Sequence, residues 1–247
     1  MKFAEMTAPQ IRALDKEKTL FLQPIAAIEQ HGPHLPTGTD MMICGAVAEA
    51  VEARHADDVV LLPLLGPGAS HHHLRFGATV SPELDTYITL LTEIARPFLK
   101  DGYRRFTYLN GHGGNIDPLK ITLRQLQHEF PNALLAGGPY WDTAKEVIAD
   151  GLDGDHKFVG HACEFETSMI MHLRPELVDE TELRDAGVLG AGNIGGLFVP
   201  RDMKHRTKEG CTGRPDLATA EKGEQMFAGI VDRVSATVGE LLAEPLP

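Results

Sequence analysis

The sequence predicts an α/β protein, a three-layer α/β/α sandwich around a mainly parallel central sheet. Three observations carry this expectation. Largely apolar runs of strand length recur at 19–28, 59–65, 104–109 and 133–136. They lack the strict polar alternation of a one-sided sheet, so they read as strands covered on both faces. Segments of helical period lie between them, and strands alternating with helices build a parallel sheet packed by helices on either side.

The elements follow in order. Residues 8–17 read as a short helix and 19–28 as the first strand. The turn-rich stretch EQHGPHLPTGTD leads into a helix over 41–55, with Thr39 or Asp40 as its N-cap. A second strand over 59–65 runs into a long loop, GPGASHHHLRFGATVSP, and a helix over 82–100. The third strand, 104–109, enters the turn NGHGGN, and 116–130 is an amphipathic helix. After a fourth strand at 133–136, residues 141–150 read as helix, 151–160 as loop, and 161–173 as a helix opened by a polar turn. The Gly-rich stretch 187–216 reads as irregular, with a short strand at 196–199, and 217–243 closes as a long helix. No linker or internal repeat interrupts this order, so one domain over 1–247 is expected.

Composition narrows the function. Hydrophobic residues make up 43% and charged residues 23%, which is ordinary for a globular protein. A net charge of −12 favours neither nucleic acid nor an anionic membrane, because both call for clustered Lys and Arg. Three widely spaced cysteines, Cys44, Cys163 and Cys211, form neither a disulfide framework nor a CxxC zinc pattern. A reducing cytoplasm is the expected compartment. The stretch MKFAEMTAPQIRALDKEK has no apolar core of a signal peptide, and no run is long enough to span a membrane.

The chemistry gathers in the twelve histidines and a few carboxylates. Ligands of parallel sheets bind beyond the carboxyl ends of the strands, and two motifs fall there. After the first strand, Glu29 and His31 stand two apart, a spacing that points both side chains one way in extended backbone. The Pro33/Pro36/Gly38 turn can fold Asp40 back towards them. Carboxylate and imidazole together suit Zn²⁺, Mn²⁺ or Fe²⁺. After the third strand, His112 sits in the Gly-rich turn NGHGGN, which lacks the patterns of phosphate-binding loops. In GHACEFET, His161 and Glu164 share a helix face at i, i+3. Glu166 lies roughly 200° round an ideal helix from Glu164, so both carboxylates cannot reach one point unless the segment starts as a non-helical turn. In Ser70-His71-His72-His73 the consecutive rings cannot all face one site.

Four stretches resemble the creatininase family of amidohydrolases: PIAAIEQHGPHLPTGTD, GASHHHLRFGATVS, YLNGHGGN and GHACEFETSMIMHLRPELV. The match runs from about Pro24 to Pro175, and NGHGGN marks a subtype. The resemblance implies two divalent metal ions, with Glu29 and His112 on one, His31 on the other, and Asp40 bridging. Creatininase itself carries a Glu two residues after the motif His; here that place is Gly114, so Glu164 is expected to supply the missing carboxylate. The resemblance also places His161 and Glu166 in the active site, His161 as proton donor to the leaving amine. Ser70, His73, Gly113 and Trp141 are implied as substrate contacts. Creatininase holds creatinine between two tryptophans. Trp141 matches the first; the second would fall near Lys157, and the chain has no other Trp. Poor creatinine hydrolysis is therefore expected, and an ammonium at Lys157 would favour a substrate with a carboxylate, phosphate or several hydroxyls.

Relatives of this kind deformylate a purine-derived formamide, cleave a cofactor-precursor peptide, or hydrolyse a cyclic inositol ketone. The implied activity is hydrolysis of a small-molecule C–N amide bond through a metal-activated hydroxide. Cleavage of a C–C bond in a cyclic ketone on the same centre is the alternative, and a non-catalytic metal-binding protein a third reading. Family members are often hexamers, so a homo-oligomer acting on a small molecule is implied, without nucleic acid or membrane.

Overall fold

In the computed structural model, which describes residues 1–188 and 193–247, four parallel strands form the central sheet. They are β1 (Leu20–Ile25), β2 (Val59–Leu61), β3 (Arg105–Asn110) and β4 (Leu134–Pro139), in the order β2-β1-β3-β4. β1 and β3 are buried along their whole length. Their register aligns Leu20 with Arg105 and Ile25 with Asn110. The two central strands thus end side by side and release their chains at one edge.

The helices are α1 (Ala8–Arg12), α2 (Thr39–Arg54), α3 (Leu84–Lys100), α4 (Ile116–Glu129), α5 (Tyr140–Thr143), α6 (Lys145–Gly151), α7 (Glu164–Leu173) and α8 (Ala220–Ala243). The alternation of side chains along β1 shows how they are layered. Leu20 and Leu22 pack with α2, α7 and α8 residues such as Val47, Phe165 and Ile230. Phe21 and Ile25 pack on the opposite face with Leu91 of α3 and Leu119 of α4. Two separate apolar cores on the two faces make the predicted three layers. No described helix is long and apolar enough to cross a membrane.

Several boundaries differ from the sequence reading. The second strand stops at Leu61, because Pro63 removes a donor from the ladder soon after. The helix expected over 141–150 is two, α5 and α6, joined at Ala144. The strand expected at 196–199 is absent: Ile194 and Leu197 form only an isolated bridge. The last helix starts at Ala220, where the Thr219 hydroxyl accepts the Lys222 amide, after a 3₁₀ turn over Pro215–Leu217.

Candidate metal centre

Four segments meet at the carboxyl edge of β1 and β3. The chain leaving β1 brings Glu29 and His31, and the Glu29 amide donates to the Thr37 carbonyl at 3.0 Å, closing the turn that returns to α2. Asp40 then falls in the first turn of α2, where the helix dipole favours a carboxylate. His112 follows β3. His73 comes from a 3₁₀ turn over His71–Phe76, and His161 and Glu166 flank the start of α7.

These side chains are buried and close. Asp40 Oδ1 lies 3.1 Å from His31 Nε2, and Asp40 Oδ2 lies 3.1 Å from His112 Nδ1. Glu29 Oε1 lies 3.4 Å from His112 Nδ1, 3.3 Å from His73 Nε2 and 3.6 Å from His161 Nδ1. Glu166 Oε1 is 3.9 Å from His31 Nε2. Two triads have mutually close donor atoms, Glu29–Asp40–His112 and His31–Asp40–Glu166, and they share Asp40. A third joins Glu29, His31 and His161.

The orientation of the rings matters as much as their position. His31 Nδ1 donates to the Glu29 carbonyl at 3.1 Å, which leaves Nε2 bare towards Asp40. His112 Nε2 donates to the Ala69 carbonyl at 3.3 Å, which leaves Nδ1 bare towards both carboxylates. Backbone carbonyls that tie one imidazole nitrogen and aim the other inward are the usual support of metal-binding histidines. Glu29 Oε2, His31 Nε2 and Asp40 Oδ2 are buried and make no hydrogen bond among the described residues. Buried polar atoms rarely stay unpaired, so three together call for a cation.

The electrostatics agree. Burial pushes the Glu29 carboxyl up to about 7, partly offset by His112. Burial also opposes charge on His112, but Glu29 and Asp40 overcome it and raise this ring to about 9. His31 is likewise raised against burial, by Asp40 and then Glu166. Asp40 is lowered despite burial, because His31 and His112 face it. Positive charge is favoured at the same points where donor atoms stand bare. A proton there occupies the place of a metal ion.

Comparisons with known proteins place the whole chain. A family model described as creatinine amidohydrolase matches residues 4–238. The chain belongs to the creatininase family. It is 33% identical over 236 residues to a mycofactocin precursor peptide peptidase of Mycobacterium tuberculosis, covering 90% of this chain and 85% of that one. It is 26% identical over 261 residues to a 3-dehydro-scyllo-inosose hydrolase of Thermotoga maritima, covering 97% and 83%. A crystal structure of creatinine amidohydrolase superposes with a TM-score of 0.80 at 25% identity, covering 99% of this chain and 98% of the other.

Gly114 explains one departure from creatininase. A Cβ at Gly114 would stand 2.0 Å from the Ala69 carbonyl and 2.6 Å from His112 Nε2. No carboxylate side chain fits at this position. Glu164, expected to take its place, is turned away. Its carboxylate accepts the amides of Asp153 and Gly154, both at 2.9 Å, and the Lys222 ammonium at 2.7 Å. The carboxylate of α7 that reaches the centre is Glu166, two residues on. The expectation for Glu164 is corrected by helix geometry: Glu164 and Glu166 stand first and third in α7 and point to opposite sides.

The remaining candidates divide. Ser70 is buried, with its hydroxyl 3.2 Å from His112 Nε2. Gly113 and Trp141 line the cleft above the centre. Lys157 does not; its ammonium donates to the Leu152 carbonyl. Other contributors went unnoticed in the sequence. Asn110 Oδ1 accepts the His112 amide at 3.0 Å, and Asn115 ties Ala69 and Ala26 together at 2.9 and 3.0 Å. The two asparagines bracketing GHGG were the available signal: short polar side chains beside flexible glycines often hold backbone. Arg201 and Arg206, in the Gly-rich stretch, also line the cleft.

Proposed function

We propose that this chain is a metal-dependent amide hydrolase with a two-metal centre. Glu29, Asp40 and His112 would hold one divalent ion, and His31, Asp40 and Glu166 the other, with Asp40 shared. The bare, buried trio of Glu29 Oε2, His31 Nε2 and Asp40 Oδ2 carries this reading. A donor set of imidazole nitrogen and carboxylate oxygen suits zinc, manganese or iron. Solved creatininases include a zinc form and a manganese form. Such ions act as Lewis acids that polarise a carbonyl and acidify water.

The chain's own groups do the rest. His112 and His31 are held by the Ala69 and Glu29 carbonyls, so their inward nitrogens need no reorganisation. Glu166 also accepts the Ala162 amide, which fixes the carboxylate at the mouth of α7. His161, expected as the proton donor, is kept neutral by burial and by the neighbouring His31. It serves better as an acceptor or ligand through Nδ1.

The cleft points to a substrate larger than creatinine. Its volume is about 1000 Å³, at the upper end for small-molecule pockets, and exposed Phe158 and Phe198 stand in its wall. Arg201 Nε is buried there without a partner among the described residues. A buried guanidinium N–H without a partner in a binding cleft favours a carboxylate or phosphate acceptor. The anionic substrate expected from Lys157 is thus supported by a different residue. A peptide or acylated amino acid carrying an acidic group fits these features. The similarity to a precursor-peptide peptidase agrees with this class.

The test is kinetic. The protein is stripped with chelator, reloaded with zinc or manganese, and offered creatinine, formamides, and short peptides with free or amidated carboxyl groups. Acidic peptides should be cleaved with creatinine turned over poorly or not at all. Creatinine kcat/KM on the order of 10⁴ M⁻¹s⁻¹, within the range of true substrates, would overturn the substrate class. The similarity to an inosose hydrolase keeps a second reading, hydrolysis of a cyclic ketone on the same centre. Activity on a cyclic ketone, with every amide inert, would select it.

A further inference from the structure

Gln30 lies between the two ligand candidates Glu29 and His31, and its side chain is buried. Its amide nitrogen has three neighbours: His73 Nδ1 at 2.8 Å, the Gly210 carbonyl at 3.1 Å and His161 Nε2 at 3.1 Å. Its amide oxygen accepts the Gly32 backbone N–H at 3.1 Å. The Gly32 amide can only donate and the Gly210 carbonyl can only accept, so the two ends of the Gln30 amide are assigned without ambiguity.

Two amide hydrogens then face three neighbours, and the backbone resolves the choice. The Gln30 carbonyl lies 2.8 Å from His161 Nε2 and takes the hydrogen of that nitrogen. The side-chain amide spends its own two hydrogens on Gly210 and on His73 Nδ1. His161 therefore carries its hydrogen on Nε2 and shows a bare Nδ1 to Glu29. His73 is reversed: its Nδ1 is occupied as an acceptor, so its hydrogen sits on Nε2, the atom 3.3 Å from Glu29 Oε1.

We infer that Gln30 is a positioning residue that fixes His73 as the ring whose neutral tautomer presents an N–H to the centre, while the neutral tautomers of His31, His112 and His161 present bare nitrogens. In the metal-free protein His31 and His112 hold a proton at the place of the cation. The three bare rings are tied to the carbonyls of Glu29, Ala69 and Gln30. His73 Nδ1 meets the Gln30 amide without a backbone carbonyl to take its hydrogen; the Ser70 hydroxyl beside His112 Nε2 can itself accept, so it leaves that ring's assignment unchanged. The consequence is a division of labour on Glu29. His73 steadies Oε1 through its N–H, and Oε2 stays unpaired and free for a cation. His73 is thereby excluded from the metal ligands, although it lies as near Glu29 as His112 does.

The seat of Gln30 is built from the far end of the chain. Gly210 has φ +85°, and a Cβ there would stand 2.0 Å from Gln30 Oε1. The backbone at 210 approaches closely enough to hold the amide only because no side chain intervenes.

The tautomers rest on the hydrogen-bond network alone; their consequence for catalysis rests on the hydrolase reading. The experiment separates the two. Two-bond ¹H–¹⁵N correlation spectra of the full-length, chelator-stripped protein read which nitrogen of each imidazole bears hydrogen, with no metal or substrate needed. His73 and His161 should both be protonated on Nε2. Gln30→Glu, whose carboxylate accepts a hydrogen from His73 Nδ1, should move the His73 hydrogen to Nδ1. Gln30→Leu should leave a mixture. On zinc titration, His31 and His112 should show coordination shifts and His73 none.

A wild-type His73 protonated on Nδ1, or coordination of zinc by His73, overturns the inference whether or not the variants fold. So does a Gln30→Glu protein that folds with His73 unchanged. With a substrate in hand, Gln30→Leu should lose about 10- to 100-fold in activity or metal affinity, the usual scale for residues supporting metal ligands. Absence of amide hydrolysis would sink the hydrolase reading and leave the tautomers standing.

Discussion

The turn after β1 and the turn before α7 both deliver acidic and imidazole groups to one centre, by different geometry. After β1 the chain is extended, so Glu29 and His31 fall on one side and a single Pro- and Gly-rich turn returns Asp40 to them. Spacing in the sequence is nearly spacing in space. Before α7 the chain turns sharply, with Ala162 at φ +46°, and then enters a helix within two residues. There a shift of two residues sends a side chain to the opposite face. Glu166 meets His31, and Glu164 meets Lys222. In extended segments the sequence names the candidate ligands one by one; at a helix start it names only a set.

Asp40 should show the largest effect, because it belongs to both donor triads. Asp40→Ala is expected to lose both metal ions and to lower activity by about three orders of magnitude or more, comparable to removing a principal electrostatic stabiliser. Elemental analysis after dialysis against zinc gives the stoichiometry. Retention of one full equivalent would mean that the two sites do not share this carboxylate.

The two glutamates of α7 sharpen the contrast further. Glu166→Gln should lose about one metal equivalent and most activity, with little change in the unfolding midpoint. Glu164→Gln should keep both metals and lose stability instead. It removes a carboxylate that is 5% exposed and bonded to two amides and an ammonium. Lys222 keeps Asp153 at 2.7 Å and the Leu217 carbonyl, so a loss of about 1–3 kcal/mol is expected rather than the full cost of an orphaned buried charge. Elemental analysis paired with urea denaturation separates the variants. If Glu164→Gln instead releases metal at unchanged stability, the assignment of roles is reversed.

The same contrast explains what was legible in the sequence. The layers were, because uninterrupted apolar strands alternating with helices leave few other arrangements. Glu29, His31 and His112 stood out because each lies just beyond a central strand, where parallel sheets open, and Asp40 because a Pro- and Gly-rich turn leads back to them from the first turn of α2. The choice of Glu164 over Glu166 failed because the phase of a helix is set by its first residue, which no periodicity fixes to within one position. Gly114 was read as a missing ligand. In space it is the contact point of the Ala69 loop, and no larger residue fits. Gln30 passed unnoticed because its partners, His73, His161 and Gly210, lie 43, 131 and 180 residues away.

The two regions touch at His34, and a smaller effect should be measurable there. His34 Nε2 lies 2.9 Å from the Thr167 hydroxyl of α7, and Nδ1 is buried without a partner among the described residues. Burial, and then the charge of His31, lower the ring to about 4. An unfolded chain binds a proton on this ring below about 6.5. Between those values the unfolded state therefore holds more protons, and stability must rise with pH across this window and fall as the solution is acidified. The slope from one such group is at most about 1.4 kcal/mol per pH unit. Other histidines and carboxylates titrate in the same range, so the wild-type curve alone is not diagnostic. The difference between wild type and His34→Asn isolates this ring, because the other groups are common to both. Measured by urea denaturation of chelator-stripped protein from pH 7 to pH 4, the variant should lose stability less steeply, by about 1 kcal/mol per pH unit. Parallel curves would mean that His34 is protonated in the folded protein, and that the contact between the β1 turn and α7 is made by a cation rather than a neutral ring.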